Sequence, residues 1–98
     1  MAERKDLIDI IRDEINLLET KLEELQVQAK LGEMEAREQL QPEIQRMEKE
    51  LAKAQERLEE LTEISQQAFE EARKGLEGAV SELKNGLTRA LDVLRSKS

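Results

Sequence analysis

Hydrophobic residues recur along the first part of the chain in alternating steps of three and four residues. The series begins at Ile8 and continues to Ala36, and most of the residues between its members are charged or Gln. This spacing keeps the apolar side chains on one face of an α-helix, which another helix must cover. The pattern predicts a first heptad helix over residues 5–39. Its large packing residues are Ile8, Ile11, Ile15, Leu18, Leu22 and Leu25.

A second series with the same spacing starts at Ile44, one residue out of phase with the first. It predicts a second helix over residues 43–95, of which 43–67 form a second heptad region. The large packing residues of that region are Ile44, Met47, Leu51, Leu58 and Leu61.

The change of phase coincides with Gln41 and Pro42. Proline inside a helix costs about 3 kcal/mol, whereas it is well tolerated in the first turn of a helix. The sequence therefore predicts a turn at residues 40–43. A continuous helix, kinked at Pro42 and skipping one residue of the repeat, remains the alternative.

Folding the chain back at residues 40–43 pairs small residues with large ones across the two helices. Gly32 would face Leu51, and Leu25 would face Leu58. Alternating sizes across facing positions fill a core without voids. We therefore expect an all-α protein built on an antiparallel coiled-coil helical hairpin.

The repeat lengthens to eleven residues over 68–95, where Ala68, Ala79 and Ala90 share one column. An eleven-residue period is typical of a straight or slightly right-handed helix. Its wide apolar stripe predicts a face for self-assembly or for a partner. The residues of that face are Phe69, Leu76, Val80, Leu83, Leu87, Leu91 and Leu94.

A second helix of this length extends beyond the first and must bury its stripe elsewhere. Residues 76–94 could pair with the same region of another copy, or bend near Gly75–Gly78 and fold back as a third helix. Two helices alone bury little apolar surface. We therefore expect residues 1–98 to form a single helical domain, an oligomeric bundle of two or more chains.

The motif Ser65-x-x-Ala68-Phe69-Glu70-Glu71-x-x-x-Gly75, followed by Ala79-Val80-x-Glu82-Leu83-Lys84, resembles a group of small bacterial coiled-coil proteins. The resemblance covers residues 30–94, and Phe69 and Val80 stand where those proteins often have Trp. It implies a soluble helical protein of poorly defined role, stress- or envelope-associated, and it carries no active site over to this chain.

Composition excludes several kinds of chemistry. Ala, Glu, Lys, Leu and Arg supply 59 of the 98 residues, above the roughly 50% at which coiled coils and long helices begin. The chain has no Cys or His, so thiol, imidazole and Cys/His metal sites are excluded. We expect no catalytic residue, no cofactor and no metal, and we interpret the pairs Glu23–Glu24 and Glu59–Glu60 as solvated surface.

The net charge of −7 and the single aromatic residue argue against nucleic-acid binding. The sequence has no transmembrane segment and no targeting signal, so a cytoplasmic location is the default expectation. The leading hypothesis is a non-catalytic coiled-coil scaffold, spacer or adaptor that acts by self-assembly or by binding partner helices. The alternative is an amphipathic protein that binds membrane surfaces weakly, or acts like a chaperone, through the 68–94 stripe.

Overall fold

The structure, a computed structural model that describes residues 3–96, consists of three helices. These are α1 (Arg4–Leu31), α2 (Met34–Glu63) and α3 (Gln66–Ser96), and no strand occurs among the described residues. The all-α prediction is confirmed. The predicted single domain over 1–98 also includes residues 1, 2, 97 and 98, which lie outside the described residues.

Contacts between side chains give the direction of each helix. Gln26 donates to the Glu48 carboxylate, and Gln55 donates to Glu19 Oε2 at 3.3 Å, so α1 and α2 run in opposite directions. At one end of the bundle the Arg4 guanidinium lies 4.6 Å from the centre of the Phe69 ring. Because both residues lie in the first turn of their helices, α1 and α3 are parallel.

The core runs along the whole bundle, which measures 49 × 21 × 16 Å. No polar or charged residue between positions 3 and 96 is buried, so the interior is held together by hydrophobic packing. The largest fully buried side chains are Phe69, Ile11, Ile15, Leu25, Met47, Leu61, Leu76, Leu83 and Leu87.

The first turn lies at Gly32–Glu33, which corrects the predicted helix over 5–39 and the predicted turn at 40–43. Both turn residues have extended backbone, with ψ angles of 178° and 150°. The heptad pattern gave no sign of this turn because Ala29 and Ala36, seven residues apart on different helices, are both buried. Glycine at position 32 favours the break, since it is among the poorest helix formers.

Pro42 lies inside α2, which is continuous from Met34 to Glu63. Proline cannot donate a hydrogen bond to the carbonyl of Glu38, four residues earlier. Pro42 and Glu38 are both exposed, so water can satisfy that carbonyl. The change of phase is a local lengthening of the repeat, because Ala36, Leu40 and Ile44 are buried at two successive four-residue steps.

A second turn at Ile64–Ser65 replaces the predicted continuous helix over 43–95. Ser65 caps α3, because its Oγ accepts a hydrogen bond from the backbone N–H of Ala68 at 3.4 Å. Ile64 and Phe69 occupy the two positions of a hydrophobic staple around this cap; Phe69 is buried in the core, and Ile64 is partly buried against it.

Residues 68–95 are therefore most of a third helix and not an extension of the second. The chain folds back at Ser65, whereas Gly75 and Gly78 lie within a continuous α3. Residues 68–95 therefore pack on α1 and α2 of the same chain, and no second copy is needed to cover their apolar stripe.

Candidate interaction surface

The predicted packing residues of the two heptad regions lie in the core. All eleven, from Ile8 to Leu25 on α1 and from Ile44 to Leu61 on α2, are buried within the chain. They position the helices and are not available to an external partner.

The predicted turn residues form neither a turn nor a site. Gln41 and Pro42 are exposed on α2. Gln41 lines an open groove of about 630 Å³ between α1 and α2, together with Lys30, Arg37 and Glu48.

The predicted assembly face on residues 68–95 is turned inward. Phe69, Leu76, Val80, Leu83 and Leu87 are buried, and Leu91 and Leu94 are partly buried against the same core. This corrects the assignment of that face to self-assembly, because α1 and α2 of the same chain cover it.

The exposed apolar surface lies instead on α1, on the side of that helix that faces away from the core. Five large hydrophobic residues of the described chain are exposed: Ile10, Leu17, Val27, Leu31 and Met34, with exposed fractions of 55%, 56%, 54%, 78% and 71%. The first four lie on α1, and Met34 is the first residue of α2.

These residues follow the same alternating spacing of three and four residues as the core. We define the outer seam as the α1 positions Ile10, Asp13, Leu17, Thr20, Glu24, Val27 and Leu31. It is displaced by two residues from the core series that starts at Ile8. Two residues correspond to about 200° around a helix, so the outer seam faces away from the core.

A shallow groove runs beside the outer seam between α1 and α3. It has a volume of about 210 Å³ and is lined in part by Leu17, Leu18, Leu87 and Leu91. Lys21 and Lys84 also line it. The groove widens the apolar surface at Leu17 toward α3.

Acidic side chains interrupt the outer seam. Asp13 and Glu24 occupy two of its seven positions, and Asp6 lies one step before it in the same series. Glu23 is adjacent to Glu24, and all four side chains are exposed. The seam is thus both apolar and acidic.

Two arginines donate hydrogen bonds to backbone carbonyls at the C-termini of other helices. Arg37 donates through Nε to the Ala29 carbonyl at 3.4 Å and also to the Lys30 carbonyl, at the C-terminus of α1. Arg4 donates to the carbonyls of Leu61 at 2.8 Å and Ile64 at 2.6 Å, at the C-terminus of α2. Each arginine satisfies carbonyls that have no partner within their own helix.

One ion-pair cluster shifts the ionisation of its members. Arg73 Nη2 lies 2.7 Å from Glu70 Oε2, and Nη1 lies 2.7 Å from Glu77 Oε1. The hydrogen bond from Arg73 lowers the pKa of Glu70, and the bonds to Glu70 and Glu77 raise the pKa of Arg73. The three side chains lie along one face of α3.

The described residues contain no group of three or more Asp, Glu, His or Cys side chains placed to hold a metal ion. The pairs Glu23–Glu24 and Glu59–Glu60 are exposed on α1 and α2. Ser65 serves as a helix cap.

No protein-family model, curated protein or solved structure matches the chain. The resemblance of residues 30–94 to small bacterial coiled-coil proteins stays a prediction. None of the three helices, across residues 3–96, combines the length and apolar content needed to cross a bilayer.

Proposed function

We propose that the protein is a non-catalytic interaction protein that binds an amphipathic helix of a partner along the outer seam. The observation that supports this is the position of the exposed large hydrophobic residues. The core is filled by side chains of one chain, yet Ile10, Leu17, Val27 and Leu31 remain more than half exposed on one line of α1.

A helix fits this surface better than an extended peptide does. Ile10, Leu17 and Leu31 are separated by multiples of seven residues, the spacing with which helices pack side by side. Fully burying an exposed Leu or Ile contributes about 1.5–3 kcal/mol, so covering the remaining exposed halves is favourable. One helix on one seam makes a small interface, which is typical of reversible association.

Self-assembly is the competing form of the same function. The predicted self-assembly face on α3 is covered by α1 and α2, so a second copy would also have to use the outer seam. Lipid binding through the 68–94 stripe would require the bundle to open, because Phe69, Leu76 and Leu83 are each 1% exposed.

Binding of designed peptides to the isotopically labelled full chain tests the proposal. Three 21-residue amphipathic helices would carry Leu at the two seam positions of each heptad, with Lys, Glu or Gln elsewhere. A fourth peptide would keep the Lys and Leu composition but scatter the Leu residues.

We expect at least one of the three amphipathic peptides to shift the amide resonances of residues 10–31, and the scattered peptide to leave them unchanged. The variant Leu17→Gln/Leu31→Gln should lose the shifts. The matched variant Ala68→Gln/Ala72→Gln changes two exposed residues of α3 and should keep them. Failure of all three amphipathic peptides to bind would refute the proposed function.

A further inference from the structure

We infer that the helix that binds the outer seam is basic, with Lys or Arg opposite Asp13 and Glu24. This rests on the proposed function and adds the chemistry of the partner to it. The inference concerns the preference among amphipathic helices, whereas the proposed function concerns whether any of them binds.

The position of the acidic residues supports this choice. Asp13 lies between Ile10 and Leu17, and Glu24 lies between Leu17 and Leu31, so a helix that covers the apolar residues must also cover both carboxylates. Covering a carboxylate without a partner for its charge is costly. A cation from the bound helix at each position removes that cost.

The acidic charge is confined to the seam positions. Asp13 and Glu24 are exposed there, and none of the seven seam positions is basic. Beside the seam the charge is mixed, because Arg12 pairs with Asp9 and Glu14 shares the groove with Lys21 and Lys84. The complementary helix is therefore basic at the positions opposite Asp13 and Glu24.

A second copy of the chain fits this surface poorly. In the antiparallel register that places Ile10 opposite Val27, Asp13 faces Glu24 of the other copy. In a parallel pairing each of these carboxylates faces its own equivalent. Like charges directly opposite one another destabilise a helical interface and select against that partner.

An anionic lipid surface is disfavoured for the same reason. Helices that lie on such membranes carry Lys and Arg on their polar face. The outer seam has Asp6, Asp13 and Glu24 in line with its apolar residues.

The test compares affinities of the Lys, Glu and Gln peptides for the full chain. We expect the Lys peptide to bind at least about tenfold more tightly than the Glu peptide, with the Gln peptide between them. The affinity for the Lys peptide should fall as salt is raised, because screening weakens exposed charge pairs.

Two charge-reversal variants separate the outer seam from the overall charge. Asp13→Lys/Glu24→Lys changes the seam, whereas Glu71→Lys/Glu82→Lys makes the same change in net charge at exposed positions of α3. We expect the seam variant to prefer the Glu peptide and the α3 variant to keep its preference for the Lys peptide. Circular dichroism would verify that both variants are folded.

Three results would overturn the inference. Equal affinity for the three peptides would leave the proposed function standing but remove the preference for a basic partner. An equal loss of Lys-peptide affinity in both variants would assign the preference to net charge alone. Concentration-dependent dimerisation that Leu17→Gln/Leu31→Gln abolishes, or vesicle binding with the same dependence, would assign the seam to a second copy or to lipid.

Discussion

Arg4 joins three parts of the molecule through one side chain. Its guanidinium hydrogen-bonds the Leu61 and Ile64 carbonyls, contacts the Gln66 side chain and lies over the Phe69 ring. The last turn of α2 has no basic residue of its own. Arg4 therefore supplies the positive charge that favours the C-terminus of a helix.

Replacing Arg4 should destabilise the bundle. A buried hydrogen bond from a charged group contributes about 1.5–3 kcal/mol. Arg4 is only half-buried, so solvent screening lowers the contribution of its two carbonyl contacts and of its contact with Phe69. We expect Arg4→Gln to lower the free energy of unfolding by about 2 kcal/mol, as measured by urea denaturation. Arg4→Lys should recover only part of the loss, because lysine lacks the planar fork that reaches two carbonyls.

The control for Arg4 is Arg12, an exposed arginine that pairs with Asp9 on the same helix. Exposed pairs contribute little, so Arg12→Gln should change stability by less than about 0.5 kcal/mol. Equal effects at the two positions would contradict the assigned role of Arg4.

The hydrogen bond between Arg73 and Glu70 makes the stability of the folded protein depend on pH. Its pKa in the folded protein lies below the ordinary value of 4.5 because Arg73 donates a hydrogen bond to it. The stabilisation by Glu70 is therefore fully present above its pKa in the unfolded chain. It is lost as the pH falls through the lower folded pKa.

Carboxyl NMR titration of the folded protein would measure this shift. We expect Arg73→Gln to raise the pKa of Glu70 toward its ordinary value, and Arg89→Gln, at an exposed position further along α3, to leave it unchanged. An unchanged Glu70 titration in Arg73→Gln would show that the hydrogen bond is not the cause.

Helix α2 accommodates a proline within its span. Pro42 is exposed and has no backbone N–H, so one hydrogen bond of the helix is missing at a place that water can reach. The helix persists because its other face buries Ala36, Leu40 and Ile44. Tertiary packing thus outweighs the cost of proline inside a helix, which is about 3 kcal/mol relative to alanine.

Pro42→Ala should stabilise the protein. Alanine restores the missing hydrogen bond and removes the clash of the ring, and the greater entropy of the unfolded chain offsets part of the gain. We expect an increase of about 2 kcal/mol in the free energy of unfolding, measured by thermal and urea unfolding. Gln41→Ala, at the exposed neighbour, should change it by less than about 0.5 kcal/mol. A loss of stability in Pro42→Ala would favour a turn at this position.

Replacing each glycine of α3 with alanine should change the stability of the protein by an amount that depends on the space around that glycine. A Cβ added at Gly75 or Gly78 meets nothing within 4 Å, whereas one at Gly86 meets Met47 Sδ at 3.4 Å. We expect Gly75→Ala and Gly78→Ala each to stabilise the protein by about 1 kcal/mol. The gain at Gly86 should be smaller because Met47 must move slightly. Urea denaturation of the three single variants would measure this order.

Helix type and core residues followed from the sequence, whereas the boundaries did not. The alternating series from Ile8 and from Ile44 identified the packing residues of α1 and α2, since burial imposes that period. It could not locate the turn at Gly32, because both helices continue the same spacing across it. Ser65 was a usable signal, as a Ser at the start of a helix often caps it.

The outer seam also follows from the sequence, but only after the core series is known. Ile10, Leu17 and Leu31 are separated by multiples of seven residues and form a second apolar line on α1, which Asp13 and Glu24 interrupt. The structure buries the line from Ile8 to Ala29 and leaves the other exposed. The local pattern favours this choice, because all seven positions of the line from Ile8 to Ala29 are apolar. It does not show that α2 and α3 leave the outer seam uncovered, because that depends on how the three helices pack.

A three-helix bundle buries apolar surface that a two-helix hairpin would leave exposed. The third helix covers the faces of the other two, and the buried apolar residues form one continuous core. The chain can therefore reach a stable fold without a second copy.

We expect the purified protein to sediment as a monomer of 11.3 kDa. Small-angle scattering should give a particle close to the 49 Å length of the bundle. A second helix of 53 residues, as in the predicted extension over 43–95, would reach roughly 80 Å at 1.5 Å per residue. A scattering length near that value would contradict the fold-back at Ser65.

The parallel arrangement of α1 and α3 places Arg4 and Ser96 at opposite ends of the long axis. Many domains bring their ends close together and so tolerate circular permutation. In this bundle, a linker from Ser96 back to Arg4 would have to traverse about 49 Å along the outside. At 3.3–3.6 Å per extended residue it needs roughly fourteen residues or more. Conversely, proteins fused before Arg4 and after Ser96 would be held apart by the length of the bundle.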